Sequence, residues 1–333
     1  MRDVNSFETL RSVDDPLKPV PGDSTQMLLD AFAGLEAGDV LTLSEGTFVF
    51  NTTTAAGSIL DVLVSDVVIQ GQGPDVTQIK VEGAGATGLI RATDQSNVSV
   101  QGIDFVGNNV GSGFNFSGTA IWFEYNASKD AQCGVRECKF SEFAGPYWVS
   151  VQNNGATANV TNFGFRQLRF EGGTDTGPTN QGFSARQLGV HSTAGGNVST
   201  VIVEGVYCDA NNVKVGLGFQ GDVDDILISN SKIKNAGQLN GNENTACYGI
   251  LLYTSVDNAT IADSSIDNCL DCGIYILNAT TVTVTGNRIS NCNGTAWETL
   301  PKGGLVLNAG SSTVVCNSFV NNHFHIQMTA SNL

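Results

Sequence analysis

This chain of 333 residues contains no run of about 18 apolar residues, so no membrane-spanning helix is expected. Its first residues, Met1-Arg2-Asp3-Val4-Asn5, lack the apolar stretch of a secretory signal. Either a signal has been removed or the protein reaches its site without one, as virion components do. Prolines number only 7 and charged residues only 14%, while 41% of positions are apolar. Disordered chains have the opposite balance, so an ordered chain is expected. Basic residues are the scarcer sign, 16 against 32 acidic, and a net charge of −16 makes nucleic acid and anionic membrane surfaces poor partners. The 8 cysteines do not make a disulfide scaffold at this length. Cys269 and Cys272 have the spacing of a zinc-binding pair, but no second such pair or His pair completes a set. Neither a metal nor a cofactor is expected.

What is abundant is glycine, 39 residues, which with Asn, Ser and Thr punctuates short apolar runs. That is a pattern of strands and turns. Within it a six-residue motif recurs, apolar at its first and sixth positions and usually at its fourth, as in Val100-Ile103-Phe105 and Phe165-Leu168-Phe170. Copies are anchored at Val100, Val135, Phe165, Val203, Ile228, Ile261, Val284 and Val314, with a weaker one near Ile69, at intervals of 23 to 38 residues. The shorter intervals fit one bare turn of a solenoid and the longer ones a turn with an inserted loop. A second apolar strand follows each copy. Side chains alternate along it, which predicts an interior column of Ile121, Val149, Val190, Leu217, Ile250, Ile274, Leu305 and Ile326. Asn235, Asn268, Asn291 and Asn321 stand seven positions after their anchors, where stacked amides can bond from turn to turn. Cys269 and Cys292 follow one position later and are expected to stack as buried, mostly reduced thiols.

The motif copies and the asparagine ladder resemble the pectate-lyase-like superfamily over roughly residues 39–328. The resemblance implies an all-β, single-domain, right-handed parallel β-helix. The N-terminal segment adds to it. Met27, Leu28, Ala31, Phe32 and Leu35 at helical spacing, after Gly22-Asp23-Ser24-Thr25, read as a capped amphipathic helix over Thr25–Leu35. A strand and a Glu45-Gly46-Thr47 turn follow. A helix laid over the open end of a solenoid is similar to tailspikes and polysaccharide-active β-helices. Residues 1–38 are thus read as an arm and capping helix, and 39–333 as the β-helix.

Function is less legible. Four insertions between the motif and the next strand are long, at 106–119, 171–187, 234–247 and 290–302, and all leave from one edge. A loop rim on a rigid scaffold is where binding groups concentrate. The outward row beside it reads Trp122, Ser150, His191, Gly218, Leu251, Tyr275, Val306 and Gln327. Trp122 and Tyr275, joined by Phe114, Phe116 and Trp297 from the loops, are candidates for stacking on sugar rings; burial under loops or a neighbouring subunit is the structural alternative. The paired-Asp and Gly-His-Gly signatures of polygalacturonase-like enzymes and the Asp-Pro-His signature of alginate epimerases are missing. For a lyase on acidic glycans, Arg186 and His191 are the nearest candidate pair. The resulting expectation is a viral appendage or decoration protein recognising a host surface polysaccharide or glycoprotein, at the virion surface or outside the cell. Alternatives are a lyase, hydrolase or epimerase on the same fold, or a structural assembly protein. Phe319, Phe324, Ile326 and Met328 would leave the last turn apolar, so contact with other virion proteins or a homo-oligomer is expected, with the tailspike resemblance implying a trimer.

Overall fold

The computed structural model describes residues 11–12, 16–53, 59–83, 88–108, 118–143, 147–172, 186–193, 195–211, 213–237, 247–293 and 302–328. Its strands form two parallel sheets, of 18 and 10 strands. Each complete turn carries a leading strand, a middle strand and a short third strand, which has three residues from Asp104–Val106 onward, for example Tyr147–Asn153, Asn159–Arg166 and Arg169–Glu171. Leading and middle strands belong to the larger sheet and short strands to the smaller. In the last turns the first two run on unbroken, as Tyr248–Ala262, Cys272–Thr285 and Gly303–Val315.

The repeat anchors stack in register. Ile69 pairs with Val100, and the column continues through Val135, Phe165, Val203, Ile228, Ile261, Val284 and Val314. The sixth motif position forms a second interior column. Phe105 and Phe140 stack at 5.2 Å and Phe140 and Phe170 at 4.9 Å, and Cys208, Ile233, Ile266 and Ile289 carry the column on. Each such buried side chain contributes about 1.5–3 kcal/mol, so the repeated column is a principal source of stability.

Between these columns the chain turns through a residue in the left-handed region, such as Glu137, Gln167, Asn230 or Asp263. The fourth motif residue then tucks inward. It is apolar in early turns (Ile103, Cys138, Leu168, Val206) and polar later, where Ser231, Ser264, Asn287 and Asn317 build a ladder. Ser264 N–H donates to Asn287 Oδ1 at 2.9 Å, and Asn287 N–H to Asn317 Oδ1 at 2.9 Å. The expected second ladder is also present. Asn268 Nδ2 donates to Asn235 Oδ1 at 2.8 Å and Asn321 Nδ2 to Asn291 Oδ1 at 3.4 Å, but the Asn291 amide turns to Asp267 at 2.8 Å.

The helix runs Thr25–Ala33, shorter than expected because Gly34 closes it, and it packs over strands Gly46–Asn51 and Leu60–Val62. Leu28, Phe32 and Leu35 are buried against the first turns. At the other end Phe324, Ile326 and Met328 are half-exposed, as the sequence implied. No described helix is long and apolar enough to cross a membrane. One expected register is corrected. The partner of Val149 and Leu217 is Leu188, and Val190 pairs with Val151 and Phe219. Both residues face inward, so the two-residue period could not separate them.

Candidate functional site

The four long insertions all join a short strand to the next leading strand, ahead of Ile121, Arg186, Tyr248 and Gly303. Their central parts lie outside the described residues, and with them Phe114, Phe116 and Trp297. They flank the starting edge of the leading strands, whose outer face carries three columns. Nearest the loops stand Tyr147, Arg186, Val215, Tyr248, Cys272 and Gly303. The central column is Trp122, Ser150, Gly189, Gly218, Leu251, Tyr275 and Val306. The far one is Glu124, Gln152, His191, Gln220, Tyr253 and Leu277. His191 therefore points outward as expected, but it stands beside Gln152 and Gln220; Gly189 occupies the position expected for it.

Two consecutive glycines in the central column make a trough. A Cβ on Gly189 would lie 2.3 Å from the Tyr147 ring, and one on Gly218 would lie 2.4 Å from Arg186 Cδ. The trough is thus where Tyr147 and Arg186 lie down across the sheet. Arg186 Cζ sits 5.5 Å from the Tyr147 ring centroid, and Nη2 donates to Gln220 Oε1 at 2.6 Å. The Arg186 side chain is fully buried, yet Nε and Nη1 have no hydrogen-bond partner among the described residues. No carboxylate pairs with it among the described residues. A buried guanidinium left this way is costly unless something else neutralises it. In the central column next to Gly189, Ser150 Oγ is also buried and has no partner among the described residues. His191 is half-buried, and burial first, then the Arg186 charge, lowers its pKa from 6.5. Its imidazole is neutral at neutral pH.

Trp122 and Tyr275 face outward but are covered. Trp122 is 5% exposed with Arg91 5.8 Å from its ring centroid, and Asp61 holds that Arg91 with contacts of 2.6 and 2.9 Å. Tyr275 packs 4.9 Å from the Tyr248 ring in an apolar cluster with Val215, Leu251, Cys272 and Val306. Asp271 lies buried one residue before Cys272. Its Oδ2 accepts the Cys247 N–H at 2.8 Å, Oδ1 has no partner among the described residues, and burial pushes its pKa up.

The family described as a right handed beta helix region matches residues 126–332. The chain belongs to this family. No curated protein matches the β-helix. Among solved structures it is similar to the enzymatically active domain of bacteriophage CBA120 tailspike protein 2, at 13% identity and a TM-score of 0.57, covering 95% of this chain and 46% of that one. It is likewise similar to an alginate lyase from Paenibacillus sp. str. FPU-7, at 13% identity and a TM-score of 0.54, covering 91% and 96%. The Dettilon tailspike protein gives 13% identity and a TM-score of 0.52, covering 92% and 60%. The β-helix thus spans less than half of the first tailspike domain. At these identities the likeness is one of fold.

Of the sequence candidates, the fold brings Arg186 and His191 onto one face, with Trp122 on the same sheet toward the N-terminal turns and Tyr275 toward the C-terminal ones. Sequence reading missed Tyr147, Gln220 and Asp271. Tyr147 and Gln220 carry no motif, and only the coil-to-coil register puts them beside Arg186. Asp271 carries no motif either; its place directly ahead of the leading strand that starts at Cys272 was the available signal. Chemically, a guanidinium with two free donor nitrogens, a neutral imidazole and flanking amides suit a carboxylate-bearing ligand, because guanidinium and carboxylate match in a planar, two-contact geometry.

Proposed function

We propose that this β-helix is the glycan-recognising part of a viral appendage, such as a tailspike, fibre or capsid spike, and that it holds a carboxylated host surface glycan on the outer face of its leading strands. The observation that carries the reading is Arg186, buried in the glycine trough with Nε and Nη1 unpartnered among the described residues. An acidic sugar laid against that face supplies the missing acceptors. The tailspike fold likeness and the rim of long insertions support the viral setting, at the virion surface or outside the cell. Contact with further subunits or other virion proteins, with a homotrimer as the favoured state, is part of the same proposal and is supported by the tailspike fold likeness. The test is a panel of acidic and neutral host envelope polysaccharides presented to wild type and Arg186→Met. Binding confined to acidic polymers and lost in the variant supports the reading; equal binding of neutral polymers contradicts it.

A second reading, a polysaccharide lyase, is favoured by one observation. His191 is kept neutral beside Arg186, so a base and a carboxylate-neutralising cation share one face. Release of unsaturated uronate ends during the same incubation, absent in His191→Gln, is its signature.

A further inference from the structure

The acidic character of the chain hides a local reversal on another face. Outward positions of the short strands form two columns on the ten-stranded sheet. One runs Lys139, Arg169, Tyr207, Lys232, Ser265 and Arg288. The other runs Ser141, Glu171, Asp209, Lys234, Asp267 and Ser290. Over these turns the columns hold five cations, Lys139, Arg169, Lys232, Lys234 and Arg288, against three carboxylates, in a molecule with twice as many acidic as basic residues. Asp104, above Lys139, is buried, with its Oδ2 accepting from Gln78 at 2.9 Å.

The carboxylates are already engaged. Glu171 takes Arg169 Nε at 2.6 Å and lies 3.7 Å from Lys139 Nζ, and Asp209 takes Lys234 Nζ at 2.9 Å. Asp267 accepts from Ser290 Oγ at 2.7 Å and from Asn291 Nδ2 at 2.8 Å. Lys232 and Arg288 are exposed and pair with no carboxylate among the described residues. Tyr207 gathers the cations, with Lys234, Arg169 and Lys232 at 5.5, 5.6 and 6.0 Å from its ring centroid. A ring between like charges reduces their repulsion and fixes their positions. Lys232 and Arg288 are two turns apart, about 10 Å at the ordinary strand spacing.

We propose that this face is a second, separate contact surface, for an acidic polysaccharide of low charge density running parallel to the solenoid axis. The inference rests on the glycan-binding reading but not on Arg186. Two unpaired cations set two turns apart suit a polymer with one carboxylate per disaccharide. A charge-dense polyphosphate is disfavoured, because the stripe's excess is small and the net charge of −16 repels it.

The experiment uses hyaluronan oligosaccharides, which carry one carboxylate per disaccharide, and a DNA single strand of similar length, at low ionic strength. Wild type, Arg186→Met, Lys232→Ser/Arg288→Ser and the combination of all three are compared by affinity, sedimentation and thermal melting. Arg186→Met is expected to keep residual, salt-sensitive hyaluronan binding. Adding the two serine substitutions is expected to weaken that residue about tenfold with melting unchanged. The proposal is overturned if the serine substitutions leave the residual binding unchanged, if Arg186→Met alone abolishes it, or if DNA binds as tightly. It is overturned equally if the serines change sedimentation rather than binding, since the stripe is then an interface between copies. If Arg186→Met loses nothing while the serine pair weakens binding, the stripe stands and the Arg186 reading falls.

Discussion

The loop-side face and the short-strand face both present cations, in opposite settings. On the first, Arg186 is buried in the glycine trough, and two of its nitrogens have no partner among the described residues. On the second, Lys232 and Arg288 stand in solvent beside cations already tied to Glu171 and Asp209. A buried unpaired charge costs stability and repays it only when a partner arrives, whereas an exposed one costs little and gains little. The two faces therefore differ in how binding and stability trade against each other.

The sharpest way to break the comparison is Arg186→Met. Loss of a desolvated, two-contact ion pair is expected to weaken acidic glycan binding about 100-fold, roughly 2.7 kcal/mol, while thermal stability stays level or rises. A fall in stability with binding intact would make Arg186 a structural residue. Next comes Gly218→Ala, whose Cβ would meet Arg186 Cδ at 2.4 Å. Pushing the flexible side chain aside is expected to weaken binding about tenfold and cost about 1 kcal/mol of stability, read by titration and denaturant melts. On the short-strand face, Lys232→Ser/Arg288→Ser is expected to move unfolding free energy by less than about 0.5 kcal/mol, as exposed substitutions do.

The smallest effect is a pH dependence. Because the folded His191 pKa lies below its ordinary 6.5, the unfolded chain takes up that proton first as pH falls. The His191 contribution to stability is therefore intact above about pH 6.5 and lost as pH drops through the folded value. In Arg186→Met the imidazole pKa, followed by NMR, is expected to rise toward 6.5 without reaching it, since burial, the larger cause, remains.

The fold was legible because its signal repeats. Val100 through Val314 recur at anchor positions, and a column needs only apolar character at each turn. The site was legible only in part. Arg186 and His191 could be named from their chemistry, but Leu188 and Val190 fit the interior equally, so the row containing His191 was misplaced by two residues. Gly189 then went unnoticed, although it makes the trough with Gly218. Trp122 and Tyr275 were placed on the correct face, yet their burial depends on Arg91, Tyr248 and the surrounding packing, which strand periodicity does not encode. The stripe of Lys139, Arg169, Lys232 and Arg288 was in the motif copies throughout; net charge averaged it away.

The most direct test of the central claim is calorimetric titration of wild type and Arg186→Met with one acidic oligosaccharide and its carboxyl-reduced counterpart. The account predicts that wild type binds the acidic form at least about 100-fold more tightly than the reduced form, and that the variant no longer distinguishes them. Equal affinity of wild type for both forms, or undiminished discrimination by the variant, would contradict it.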